Sequence, residues 1–185
     1  MNKNNNFLSE DFTSAPEFTA GYDHFMDGLL DVVHSGPVTD SMGDRIKTYA
    51  LDFVKEYPLT PFDQYSDSTY VRNYIGRDPE THWEAIVMSW KKGNQTAIHS
   101  HPQFASYTFA DGIFEVEVFE PQGDGIRLVD DLIVDHALGL YAIGEAGKFD
   151  NHIHRITCLS ETAHSLHIYS DDALKGMKLD ESRVL

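Results

Sequence analysis

From residue 61 onward, the chain consists of short runs of Val, Ile, Phe, Tyr and Thr separated by turn residues. The clearest run covers residues 113–119 (IFEVEVF), where apolar and acidic side chains alternate as in a strand with one buried face. Further strands are predicted over residues 85–90, 96–101, 106–110, 126–134, 138–143, 152–157 and 164–169. Turn signals at Gly93, Gly112 and Gly123 separate several of them. So many short strands at close spacing predict a mainly β fold, either a sandwich or a barrel.

Residues 14–60 carry a helical pattern instead. Apolar side chains recur at helical spacing in two groups, which are Phe25, Leu29, Leu30 and Val33, and then Ile46, Tyr49, Ala50, Phe53 and Val54. A Gly36-Pro37 break lies between the groups. The length of 185 residues and the apolar content of 41% suit one core, so we predict a single domain over residues 14–185. Within it we expect a helical part at 14–60 and a β-barrel at 61–172, after a disordered tail at 1–13.

Charge excludes several kinds of partner. Thirty acidic and fourteen basic residues give a net charge of −16, which would repel nucleic acid and anionic membranes. Cys158 is the single cysteine, so no intrachain disulfide is possible. No apolar run reaches the ~18 residues of a membrane span, and residues 1–10 lack the basic-then-apolar pattern of a signal peptide. We therefore expect a cytoplasmic protein without nucleic-acid or membrane partners, as a monomer or weak homo-oligomer.

Histidine spacing points to a metal site. His99 and His101 are two residues apart on a predicted strand, so both rings lie on one face. Neutral imidazoles at this spacing can bind one Fe, Zn, Cu or Ni ion. His152 and His154 repeat the spacing further along the chain. One such pair is a weak signal, but a barrel that brings distant strands together can converge three or four of these rings.

The first histidine pair lies in a recognisable segment. Residues 93–101 (GNQTAIHSH), followed by Gly112, resemble the first motif of the cupins, in which two histidines bind metal. A typical cupin also supplies a glutamate four or five residues after the second histidine, where this chain has Ala105 and Ser106. Without that glutamate, and with a third histidine in the second motif, the pattern resembles the three-histidine cupins called thiol dioxygenases.

Three more segments are similar to those of the cysteine dioxygenases within that group. They are YVRN at residues 70–73, HRI at 154–156 and SLHIYS at 165–170. The segments occur in the family order, and the resemblance covers roughly residues 62–172. It implies a cupin jelly-roll barrel that holds one Fe(II) by His99, His101 and His154. The implied reaction converts L-cysteine and O2 to cysteine sulfinate.

The same resemblance assigns roles to five further residues. Arg72 would bind the substrate carboxylate, and its guanidinium fork suits two oxygens. Tyr70 would add a hydroxyl donor to the same group. Tyr169 would direct its hydroxyl toward the thiolate and O2, with His167 and Ser165 orienting it. Residues 165, 167 and 169 share one strand face, which is consistent with these roles.

Departures from the family pattern leave some interpretations open. Because Ala105 and Ser106 follow the metal pair, the cysteine–tyrosine crosslink of the animal enzymes cannot form, as in many bacterial members. The glycine expected just before the third ligand is also replaced, since Asn151, His152 and Ile153 precede His154. The role of His152 is open. This residue is either a fourth ligand or, as we favour, a histidine behind the ligands or at the rim. We interpret Cys158 as an inert buried thiol, and Trp90, like the other strand aromatics, as core.

Alternative functions follow from the same residues. The substrate could be another small thiol, such as 3-mercaptopropionate, although Arg72 within YVRN favours the amino acid. A cupin that only binds a small ligand would consume no O2. An isomerase or decarboxylase that uses Zn or Mn is disfavoured by the missing glutamate.

Overall fold

The computed structural model describes residues 12–14 and 21–185. The helical part consists of α1 (Phe25–Val33) and α2 (Asp40–Glu56), with short 3-10 helices at Tyr22–His24 and Thr60–Phe62. The side-chain oxygen of Thr39 accepts a hydrogen bond from the backbone N–H of Met42 and so caps the start of α2. Both predicted helical groups are confirmed. A disordered tail was predicted at residues 1–13, and residues 1–11 of it lie outside the described residues.

Eleven strands form in the described part of the chain. They are β1 (Phe12–Ser14), β2 (Val71–Arg77), β3 (Glu84–Lys91), β4 (Ile98–His101), β5 (Phe104–Asp111), β6 (Phe114–Gln122), β7 (Gly125–Val134), β8 (Leu138–Ile143), β9 (Asn151–Cys158), β10 (Thr162–Tyr169) and β11 (Lys178–Leu179). All eight strands predicted from the alternation pattern are present. Strand β2 and the short strands β1 and β11 were not among the predicted ranges. Positive φ angles at Gly93, Gly112 and Gly123 confirm the glycine turns.

The strands form two sheets. One has the order β1-β2-β3-β10-β5-β8 and the other the order β11-β4-β9-β6-β7. All neighbours are antiparallel except β1 and β2, which pair in parallel. The mainly β barrel with a short helical N-terminal part is therefore confirmed. Two 3-10 turns, Ala173–Lys175 and Glu181–Arg183, follow the last long strand.

The six-stranded sheet separates two of the three clusters of core side chains. Leu166 and Ile168 of β10 pack with the helices on one face of the six-stranded sheet. Residues on the other face, such as Trp90 and Tyr169, pack with Ile156 of the second sheet in the barrel interior. Every second residue of a strand therefore points into the space between the sheets. No helix in residues 21–185 is long and apolar enough to cross a bilayer.

Candidate metal centre

Three buried histidines converge in the barrel interior. Strand β4 carries His99 and His101, and β9 carries His154 as the direct cross-strand partner of His99. One potential ligand atom from each ring lies within 4.8 Å of the others. The Nε2 atoms of His99 and His101 are 3.0 Å apart. The β4–β9 pairing thus brings together two histidines and a third that is more than fifty positions away in the sequence.

Hydrogen bonds orient two of the three rings. Nδ1 of His99 donates to the carbonyl of Ala97 at 2.8 Å, and Nδ1 of His101 donates to the carbonyl of His152 at 3.1 Å. A carbonyl only accepts, so both protons lie on Nδ1 and both Nε2 atoms carry lone pairs. Two lone pairs facing each other cannot form a hydrogen bond. A cation shared by the Nε2 atoms fits this arrangement, and such outer hydrogen bonds are typical of metal-binding histidines.

Burial keeps these imidazoles neutral. It lowers the pKa of His99 to about 4, and lowers the pKa of His101 and His154 well below their usual range. Neighbouring imidazoles add to the effect at His101 and His154. Neutral imidazole is the form that binds a metal. The group contains no carboxylate among the described residues, and the hydroxyl of Ser106 donates to the carbonyl of Leu140 instead.

A β-bulge lies beside His154. His99 pairs with His154, whereas His101 pairs with Asn151, so β9 has one extra residue in this interval. His152 lies in the bulge with a φ of 46°, a left-handed backbone that is uncommon for a residue other than glycine. Alternation is broken there, and the His152 ring does not join the three-histidine group. Its carbonyl instead holds His101.

A small cavity lies beside the histidines. Its lining consists of Tyr70, Arg72, Met88, Thr96, His99, His154, Ile156, His167, Tyr169 and Ala173. Arg72 is fully buried, and Tyr70 is nearly so. On the neighbouring strands, Met88 is the register partner of both Arg72 and Ser165, so these three residues lie at one level of the sheet. The predicted carboxylate-binding arginine thus lines the same cavity as two of the three histidines, His99 and His154.

Strand β10 presents a hydrogen-bonded interior row, which comprises Ser165, His167 and Tyr169. Ser165 Oγ lies 2.7 Å from Nε2 of His167, and Nδ1 of His167 lies 2.9 Å from the Tyr169 hydroxyl. The Tyr169 ring stacks on His101 with centroids 5.6 Å apart. Burial lowers the pKa of His167 to about 3 and raises the pKa of Tyr169 far above its usual range. The row is therefore neutral near pH 7.

Two residues beside the site were not predicted to belong to it. Nε1 of Trp90, which we had interpreted as core, donates to Ser165 Oγ at 2.8 Å. Tyr107 of β5 is the register partner of His167, and its ring contacts those of His101 and His154. Only the β3–β10 and β5–β10 pairings show that Trp90 and Tyr107 border the site, and no local sequence signal indicates it. Cys158 is buried as predicted and does not line the cavity.

A second buried histidine site lies at the edge of the barrel. His164 is 5% exposed, with Nδ1 2.9 Å from Asp111 Oδ2 and Nε2 3.0 Å from Asp63 Oδ1. The Tyr65 hydroxyl lies 3.1 Å from the same Nε2. We call these four residues the His164 cluster. Because the carboxylates lie on opposite sides of the ring, the cluster does not converge on one point as the three histidines do.

No protein-family model matches the sequence, and no curated protein is significantly similar to it. Similar solved structures include a cupin superfamily protein from Desulfitobacterium hafniense, with 13% identity and a TM-score of 0.46 over 62% of this chain and 89% of the other. A double-stranded β-helix protein from Klebsiella pneumoniae has 15% identity and a TM-score of 0.45 over 63% and 89%. Oxalate oxidase has 10% identity and a TM-score of 0.41 over 52% and 46%. These similarities concern the fold alone, and this chain spans less than half of the oxalate oxidase chain.

Proposed function

We propose that this chain is an Fe(II)-dependent thiol dioxygenase that converts L-cysteine and O2 to cysteine sulfinate. The observation that carries the proposal is a carboxylate-free group of three neutral histidines beside a cavity that buries an arginine. Fe(II) is a metal that imidazole ligands suit, and the Nε2 atoms of His99, His101 and His154 would hold it. The similarity of four sequence segments to the cysteine dioxygenases adds support.

Charge favours a small substrate with two negative groups. Neutral ligands leave the full +2 charge of the metal in the site, and Arg72 adds one positive charge to the same cavity. The thiolate and carboxylate of cysteine match this local charge inside a protein whose net charge is −16. The small cavity excludes a macromolecular substrate. A short thiol with a carboxylate therefore suits the site better than a neutral ligand does.

Arg72 would hold the carboxylate end of the substrate. Its guanidinium offers parallel N–H donors that match two carboxylate oxygens, and it stays charged when buried. Tyr70 lines the same cavity and can donate its hydroxyl to the same group. Stacking on Trp90, with ring centroids 4.5 Å apart, fixes the orientation of the Tyr70 ring. Together they would set the distance between the carboxylate and the three histidines.

The interior row would present a hydroxyl donor to the reacting atoms. The indole of Trp90 donates to Ser165, the Ser165 hydroxyl donates to Nε2 of His167, and Nδ1 of His167 donates to Tyr169. In this order every proton has an acceptor, and the Tyr169 O–H remains available to the cavity. Because burial raises the pKa of Tyr169, its hydroxyl keeps its proton and acts as a donor.

The overall reaction needs no further oxidant or reductant. Both atoms of O2 become bonded to the substrate sulfur, which loses four electrons while O2 gains four. The thiol proton is released to solvent, and the product is a sulfinate anion. Fe(II) supplies a Lewis acid for the thiolate and a redox centre for O2 when it is bound. The residues of the chain bind the substrate, exclude water and hold the Tyr169 proton in place.

Anaerobic reconstitution tests the reaction directly. Protein loaded with Fe(II) and given L-cysteine should consume O2 and form cysteine sulfinate in equal amounts. O2 uptake with 3-mercaptopropionate but not with cysteine would move the activity to the alternative thiol. No O2 uptake with either thiol by the iron-loaded protein would refute the proposed function.

Arg72→Ala separates substrate binding from metal binding. We expect KM for cysteine to rise about 100-fold, because a charge-assisted bidentate pair contributes about 1.5–3 kcal/mol. Fe(II) affinity should stay within about threefold of the wild type. Arg72→Lys should recover part of the loss, since it keeps the charge but not the fork. Arg127→Ala is the control, because Arg127 is an exposed arginine on β7. Equal losses of substrate and metal affinity would contradict the role of Arg72.

A further inference from the structure

The three candidate ligands differ in their outer hydrogen bonds. Nδ1 of His99 and Nδ1 of His101 each donate to a backbone carbonyl. Nδ1 of His154 is buried and has no hydrogen-bond partner among the described residues. Metal-binding histidines almost always donate this second N–H to a partner, which fixes the tautomer and the ring orientation. The third ligand therefore lacks a partner that the other two have.

Two more buried polar atoms without a partner lie on neighbouring rings. The Tyr107 hydroxyl and Nε2 of His152 have no hydrogen-bond partner within residues 12–14 and 21–185. The ring centroid of Tyr107 lies 4.6 Å from that of His154 and 5.5 Å from that of His152. The His152 and His154 centroids are 5.1 Å apart. The three rings that carry these atoms therefore pack against one another in one part of the core, where each buried polar atom calls for a partner.

The backbone at His152 supports a built arrangement. A left-handed φ of 46° costs free energy for any residue other than glycine, and such conformations persist where the surrounding structure holds them. At this position the bulge directs the His152 carbonyl to His101 and stacks the His152 ring on Tyr107. His152 therefore contacts two candidate ligands: its carbonyl accepts from His101, and its ring packs on that of His154. A glycine would provide the carbonyl without strain but not the ring.

We propose that Tyr107 and His152 are positioning residues for His154, acting through one bound water. The water would accept the Nδ1–H of His154 and bond to the Tyr107 hydroxyl and to Nε2 of His152. Three polar partners are the usual number for a buried water. The proposal rests on the proposed metal site, in which Nε2 of His154 is a ligand. It gives the third ligand the outer support that backbone carbonyls give the other two.

Tyr107→Phe removes the hydroxyl and keeps the ring. Titration of the metal-free protein with Co(II), followed by its visible absorption, should show an affinity about tenfold lower than that of the wild type, at the low end of the usual 10–100-fold effect of outer partners. The Co(II) absorption bands should shift because the His154 ring is less well oriented. Thr108→Val is the matched control. It removes another buried hydroxyl without a hydrogen-bond partner in the described ranges, on the opposite face of the same strand.

The outcomes separate the two roles of Tyr107. A hydroxyl that is merely left without a partner would give Tyr107→Phe a higher unfolding temperature and unchanged Co(II) affinity, and that result would overturn the inference. Tyr107→Phe should instead lower the affinity, and Thr108→Val should not. If the wild type itself bound no Co(II), the proposed metal site would fail as well. Wild-type binding with an unaffected Tyr107→Phe variant would refute this inference alone.

His152→Gly provides a second, independent variant. Glycine adopts the left-handed backbone without strain, so the variant should fold and keep the carbonyl for His101. Loss of the ring should again weaken Co(II) binding about tenfold. Because both side chains would bind one water, the double variant with Tyr107→Phe should lose much less than the product of the two single effects. Multiplying losses would show independent roles and contradict a shared water.

Discussion

Two buried histidines three residues apart on β10 have opposite surroundings. Both ring nitrogens of His164 face carboxylates, from Asp111 and Asp63, at the edge of the barrel. Both ring nitrogens of His167 face hydroxyls within the interior row. Strand β10 pairs with β3 in unbroken register, so the two histidines, three residues apart, lie on opposite faces of the strand. Burial alone therefore does not distinguish a site histidine from a structural one.

The hydrogen-bonding partners of His164 and His167 determine whether each ring is available to the cavity. Contacts with carboxylates on both sides make His164 a link between residues 63–65 and β10, and leave no nitrogen for a metal or a substrate. The hydroxyl partners of His167 keep the ring neutral and pass its orientation to Tyr169, which faces the cavity. The His164 cluster thus links two segments of the fold, whereas the interior row borders the cavity.

The largest expected difference is in metal binding. His154→Ala should weaken Co(II) or Fe(II) binding more than about 100-fold, because losing a ligand costs more than losing an outer partner. His164→Ala should leave the affinity unchanged, since its ring lies outside the three-histidine group. Calorimetric titration of both variants measures the difference. Similar losses in the two variants would remove the distinction between the two regions.

The next largest effect is on turnover. Tyr169→Phe should lower kcat for cysteine oxidation about 100-fold, the usual cost of removing one hydrogen-bond donor from a reacting group. Metal affinity should change little, because Tyr169 is not a ligand. Tyr65→Phe in the His164 cluster should leave kcat unchanged while it lowers stability slightly. Steady-state kinetics with iron-loaded protein check both variants, and a normal kcat for Tyr169→Phe would exclude the proposed donor.

Acid should destabilise the metal-free protein through the interior histidines. Burial lowers the pKa of His99 to about 4 and that of His167 to about 3, below the ~6.5 of the unfolded state. Stability is therefore complete above about pH 6.5 and falls as the pH decreases toward about 4, because only the unfolded state takes up protons. One such histidine predicts a loss of about 2 kcal/mol between pH 7 and pH 5. Urea unfolding at the two pH values measures it.

Two substitutions test whether the loss of stability at low pH comes from the interior row or from the His164 cluster. His167→Gln should make the pH dependence shallower, because it removes a neutral buried imidazole. His164→Gln should keep the fall seen in the wild type, since the interior histidines remain. An equally steep fall in the His167→Gln variant would assign the acid sensitivity to other groups.

The smallest expected effect concerns Trp90. Trp90→Phe removes the N–H that donates to Ser165 and should cost about 1 kcal/mol of stability from this hydrogen bond. It should also lower kcat a few-fold, because the interior row loses its first donor. Trp83→Phe makes the same change in the core layer under the helices and should not alter kcat. Equal effects of the two variants on kcat would show that Trp90 contributes by packing alone.

Local patterns predicted much of this molecule. Alternation located eight of the strands, and helical spacing located α1 and α2, because both periods are properties of a short stretch of backbone. The two-residue spacings of His99 and His101, and of Ser165, His167 and Tyr169, likewise required only neighbouring positions. The short strand β11 was not predicted, because two residues are too few to show an alternation of apolar and polar side chains.

The residues that were missed depend on contacts between distant segments. Tyr107 and Trp90 look like ordinary strand aromatics until the β5–β10 and β3–β10 pairings place them beside the interior row. Alternation predicts His152 on the face of His154, but a bulge in the pairing with β4 breaks the alternation at His152. No local pattern reports such a bulge.

The sequence by itself determined which side chains share a strand face, and hence that His99 and His101 form a pair. Only the tertiary structure decided that His154 lies opposite His99, that Arg72 is buried at the level of Ser165, and that His164 faces carboxylates. Face sharing follows from the two-residue period of the strand. Register and partners follow from which distant strands pair, and that is determined by the packing of the whole chain.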